Sequence, residues 1–138
     1  MDTKQFDIAT LILRSSLGIM FIAHGLLKVM VFTLPGTVQF FESVGFPGWM
    51  AYVVAFSEIG GGALLIAGVY TRTVALALIP ILLGALFTHF ANGWVFSNAN
   101  GGWEYPLFLV VVSVVVALLG PGKIAVQLPF LNRAVAAA

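Results

Sequence analysis

Four stretches of this chain, at about residues 8–32, 49–70, 73–91 and 103–119, are long, apolar and almost free of charge. A helix rises about 1.5 Å per residue, so the hydrocarbon core of a bilayer takes about 20 residues to cross. Runs of this length and composition leave few alternatives to a membrane. Only 8% of the 138 residues are charged and 61% are hydrophobic, with a mean hydropathy of +1.09. Soluble domains are about a quarter charged, and so few charges cannot cover a water-facing surface. The fourth stretch is short and valine-rich, yet a helix is expected there too, because an open strand edge cannot face lipid. The expected fold is all-α: one membrane domain over residues 1–138, built as a four-transmembrane-helix bundle.

The same composition narrows function. A net charge of +1 gives no electrostatic case for nucleic acid. Cysteine is absent, which excludes disulfides, thiolate metal sites and dithiol redox chemistry from this chain. Nothing resembles a phosphate loop, a nucleophile elbow or a nucleotide fingerprint.

Connections and charges suggest a topology. MDTKQFDIATL has no small-residue cleavage site before an over-long hydrophobic run, so it should stay attached as the first span. Lys4, Arg72, Lys123 and Arg133 flank the spans on one side, whereas the other two connections carry Glu42 and Glu104. That asymmetry predicts cytoplasmic termini and a cytoplasmic turn at Thr71. GVYTRT should be a tight hairpin. In PGTVQFFESVGFPG, residues 35–48, Thr37 can cap a helix and Gly45 can stop it, with Val38, Phe41 and Val44 at helical spacing. Either a short interfacial helix or a plain loop fits this segment. ANGWVFSNANGGWE suits turns within an aromatic belt, GPG at 120–122 should end the last span, and the Ala-rich tail should fray. No internal repeat is evident.

Several polar residues interrupt the spans. Arg14, Gly18, Phe21, Gly25 and Lys28 share one helix face, with His24 at its edge. Two glycines on that face allow another helix to approach, although Arg14 and Lys28 could also snorkel to opposite interfaces. Glu58 falls near the bilayer midplane, where a lone carboxylate costs about 3 kcal/mol by insertion scales. It needs a partner, a proton or water; a protonated Glu58 tying helices together is the structural alternative to a functional cavity. Gly61 and Gly62, with Ser57, offer a smooth packing surface beside it. Aligning the span ends puts His24 and His89 about 6 to 9 Å outward of Glu58 and Arg14 about 9 Å inward. Asn92, Glu104 and Tyr105 should close the outer end, giving a polar pocket in the outer half of the bundle. No HxxxH or ExxH spacing falls on one helix, so no metal site is predicted.

RSSLGIMFIAHGLLK, PGTVQFFESVGFP, SEIGGGALLIAGVYTRTVAL, HFANG, GGWEYPLFL and GPGKIAV, in that order, resemble the DoxX family of small bacterial membrane proteins. The resemblance spans nearly the whole chain. It implies a four-span bundle of the bacterial cytoplasmic (inner) membrane. Relatives in that family include the membrane subunit of a thiosulfate:quinone oxidoreductase and proteins associated with quinol oxidases or oxidative-stress complexes. Matching the family pattern residue by residue marks Arg14, Gly25, Lys28, Glu58, Gly61, Arg72, His89, Asn92, Gly93, Glu104 and Tyr105.

The leading functional expectation is a redox-associated subunit binding a quinone or quinol, with His24 and Glu58 as the catalytic candidates. Here His24 and His89 would meet the head group, Glu58 would move protons, and Arg14 would hold the Glu58 charge. Lys28, Asn92, Glu104 and Tyr105 complete the candidate ligand-binding set, and Gly18, Gly25, Gly61 and Gly62 the helix-packing set. No intrinsic cofactor is expected. The bilayer, redox partner subunits and a second copy of the chain are the candidate partners. The alternatives are a non-catalytic assembly subunit and a small oligomeric transporter.

Overall fold

The computed structural model describes residues 2–126. Its helices are α1 (Thr3–Leu26), running on as one π-helical turn at Leu27–Val31, then α2 (Leu34–Ser43), α3 (Met50–Ala67), α4 (Thr71–Phe90) and α5 (Glu104–Leu119). Among the described residues there is no strand. Three helical segments, Thr3–Val31, Met50–Ala67 and Thr71–Phe90, have the length and composition to cross a membrane, and α5 is a shorter apolar helix of 16 residues. The fold is an all-helical membrane bundle. Arg133 and the Ala-rich tail lie outside the described residues.

Helix ends follow local chemistry. Thr33, not Thr37, caps α2: its Oγ1 accepts from the Gly36 N–H at 3.3 Å, and Pro35 sits in the first turn where no donor is needed. The 35–48 connection therefore does contain the short helix, but it starts earlier than the Thr37 reading. Thr37 is instead buried inside it. The α3–α4 hairpin turns at Gly68, whose left-handed φ of +79° closes α3, with the Val69 N–H donating to Leu64 O at 3.0 Å.

The four long helices form a ring in the order α1, α3, α4, α5. Two backbone crossings set the α1–α3 register. A Cβ on Gly18 would stand 2.6 Å from Gly62 O, and one on Gly62 would stand 2.5 Å from Gly18 O. Gly25 faces Ala55 O in the same way, at 2.8 Å. These helices touch along their peptide planes, as small residues permit in lipid. Gly61 faces the other neighbour, with Leu78 of α4 against it.

One end of the bundle, the base, carries the α1 N-terminus, the α3–α4 turn and the chain after α5. It is solid: Leu17, Leu65, Ala75, Leu78, Val116 and Ala117 fill it. Buried Arg14 donates to Leu65 O, Ile66 O and Ile124 O at 2.5, 2.7 and 2.6 Å, closing the α3 C-terminus against the last described segment. Arg72 does the same for α5, donating to Ala117 O and Leu118 O, both at 3.0 Å. Each arginine meets carbonyls that helix geometry leaves open. At the opposite end, the crown, the core gives way to a cavity.

Candidate functional site in the crown

Lys28 and Glu58 form the centre of the crown. Lys28 Nζ lies 2.7 Å from Glu58 Oε2 and 3.0 Å from Oε1, with the side chains only 18% and 7% exposed. The π-turn supports this contact. An extra residue per turn frees backbone carbonyls, and the Thr37 hydroxyl donates within reach of Lys28 O (3.0 Å) and Thr33 O (2.9 Å). α2 is thereby tied to the segment that carries the lysine. Sequence reasoning put Thr37 at a cap and did not foresee the π-turn; the nearest signal was Thr33-Leu-Pro, which marks a helix start directly after an apolar run.

His24 lies one turn before Lys28, its Nδ1 2.8 Å from Met20 O. Its ring stacks on Tyr105 of α5, centroids 5.8 Å apart at 28°. The Tyr105 hydroxyl is buried without a hydrogen-bond partner among the described residues. On α4, His89 repeats the His24 arrangement, with Nδ1 2.7 Å from Ala85 O. All five residues, His24, Lys28, Glu58, His89 and Tyr105, line one cavity of about 1660 Å³ whose other walls are mainly apolar. Phe21, Leu82 and Leu109 belong both to its lining and to the upper margin of the core.

The other expected site residues fall elsewhere. Arg14 does not hold Glu58; its hydrogen bonds go to the base, and Lys28 is the partner of Glu58. Glu104 also lines the cavity, but its Oε1 accepts from the Phe96 N–H at 2.8 Å, fastening the 91–103 connection. Asn92 stands outside the cavity lining and organises that connection, donating to Asn100 O and accepting from Asn98 Nδ2. Trp94 and Trp103 meet edge to face at 4.4 Å with Phe90 stacked beside them, as an interfacial aromatic belt would. Among the described residues, no group of three His, Asp or Glu side chains gathers as a metal site.

A bundle of apolar helices with a wide cavity at one end defines a helical membrane protein with room for a hydrophobic ligand. The DoxX family profile matches residues 9–91, and the chain belongs to the DoxX family. It is 39% identical over 130 residues to a Bacillus subtilis (strain 168) protein named "Putative oxidoreductase CatD", covering 94% of this chain and 92% of that one. It is 38% identical over 93 residues to "Inner membrane protein YqjF" of Escherichia coli (strain K12), covering 65% of this chain and 70% of the relative. No solved structure matches the chain.

Proposed function

We propose that this protein is a redox-associated membrane subunit that binds a quinone or quinol in the crown cavity. The observation that carries the reading is the cavity itself: about 1660 Å³, mostly apolar, with two histidines, a tyrosine hydroxyl and a charged pair on its walls. Ligand pockets combine apolar walls with a few convergent polar groups in this way, and this one exceeds the usual range of about 300 to 1,000 Å³. That leaves room for a head group and part of an isoprenoid tail. The residues fit such a group, since the Tyr105 hydroxyl is buried and has no partner among the described residues, a state that normally signals a missing partner. When bound, the quinone supplies the two-electron chemistry. His24, His89 and Tyr105 would line the place of the ring oxygens of that quinone or quinol, while Lys28 holds Glu58 as a nearby proton acceptor. With no cysteine in the chain, thiol chemistry belongs to a partner subunit.

The oxidoreductase name of one relative and the inner-membrane name of the other support this reading and its location. The base carries Lys4, Arg72 and Lys123, which supports a cytoplasmic base and an outward crown. The test is extraction of the purified protein in mild detergent, with mass spectrometry for retained quinone and binding of a short-tailed benzoquinone. The expected result is a saturable site lost in the His24→Phe, Glu58→Gln double variant. Unchanged binding in that variant refutes the assignment.

A second reading has one observation in its favour: the Lys28–Glu58 pair is already satisfied and bridges α1 to α3. On that reading the chain is a non-catalytic assembly subunit, Glu58→Gln weakens the bundle or its complex, and no small molecule is recovered.

A further inference from the structure

The hydrogen-bond donors around the cavity are nearly all engaged within the protein. Lys28 has three N–H groups, directed to Glu58 Oε1, Glu58 Oε2 and His24 O at 3.0, 2.7 and 3.4 Å. The Thr88 hydroxyl donates to Gly84 O at 2.9 Å, and the Thr37 hydroxyl to the backbone of the π-turn. The two histidines behave alike. A backbone carbonyl can only accept, so a ring nitrogen 2.8 Å from Met20 O, or 2.7 Å from Ala85 O, must carry the hydrogen. In its neutral form each imidazole is therefore the Nδ1–H tautomer, and its Nε2 is a lone pair with no hydrogen-bond partner among the described residues.

What remains on offer is a set of acceptors: two Nε2 atoms and the spare lone pairs of Glu58, with the Tyr105 hydroxyl able to act either way. The remaining side-chain donors, on Asn100 and Trp94, are exposed on the 91–103 connection. A quinone offers only carbonyl acceptors and would find the Tyr105 hydroxyl as its one free side-chain donor away from the 91–103 connection. A hydroquinone brings two O–H donors. With no third ligand gathered for a metal among the described residues, a hydroxyl is the natural complement to these lone pairs.

Resting on the quinone or quinol reading above, we infer that the cavity selects the reduced, dihydroxy-aromatic form of its ligand, with His24 and His89 accepting the ring hydroxyls at Nε2. The test uses the full-length protein in detergent and three probes measured by calorimetry: a decyl-tailed benzoquinone, its anaerobically reduced quinol, and the dimethyl ether of that quinol. The ether keeps the size and removes the donors. Two hydrogen bonds at the usual net worth of about 1 kcal/mol each predict a quinol affinity roughly thirtyfold above both other probes. His24→Phe and His89→Phe should each narrow that ratio, lowering the quinol affinity by a larger factor than the quinone affinity. Equal or tighter binding of the quinone or of the ether overturns the inference and leaves quinone binding standing. Failure of all three probes to bind overturns the cavity reading as well.

Discussion

Replacing Lys28 by Met keeps most of the side-chain length and removes the only ion-pair partner that Glu58 has among the described residues. The carboxylate, 7% exposed in the native protein, is then left in the middle of α3 facing mainly apolar cavity walls. Removing one member of a buried pair costs about 3 to 5 kcal/mol, since the other charge stays behind without compensation. The lower figure applies here, because Glu58 can escape by taking up a proton. For a chain of this size, about 3 kcal/mol corresponds to a fall of roughly 10 °C in melting temperature. Glu58→Gln should be milder, about 1 to 2 kcal/mol, since the stranded ammonium at 18% exposure can turn towards the cavity mouth and water. The double variant should recover most of the loss of the lysine variant. The assay is thermal unfolding in one detergent at a fixed scan rate, with Lys4→Met on the exposed first turn of α1 as control. If Lys28→Met melts no lower than Lys4→Met, or the double variant is as poor as the sum of the singles, the pair is not a coupled buried bridge.

Three further outcomes follow from the packing. Gly62→Ala should destabilise by about 1 to 3 kcal/mol, because its new Cβ meets the Gly18 carbonyl, which cannot move aside; Gly60→Ala has nothing within 4 Å and should be neutral or slightly stabilising, and paired melts of the two variants compare them directly. Arg14→Met strips donors from the Leu65, Ile66 and Ile124 carbonyls and should cost about 3 kcal/mol, with faster proteolysis beyond Gly120 as the visible sign. Thr37→Val removes the hydroxyl from Lys28 O and should cost about 1 kcal/mol while loosening Lys28, read as faster amide exchange across Leu27–Val31.

The bundle and the unusual face of α1 were legible in the sequence for a simple reason. Lipid tolerates neither unpaired backbone nor stray charge, so long apolar runs must be helices and their polar residues must face inward. Arg14, Gly18, Phe21 and Gly25 are all buried, as that argument requires. The relative heights of the helices were not legible. Aligning span ends treats each helix as centred in the membrane, but the two glycine crossings lock α1 against α3 in a register that sets Glu58 level with Ile22. Arg14 then lies about 12 Å below Glu58 rather than about 9 Å, beyond the reach of its guanidinium, and the α3 carbonyls take it instead. Lys28, in contrast, lies about 9 Å above, within the combined reach of two long side chains. A charge partner in a membrane protein is thus chosen by backbone contact elsewhere on the same helix pair. Moving the crossing, as Gly18→Ala must, should weaken the Lys28–Glu58 bridge without touching either residue.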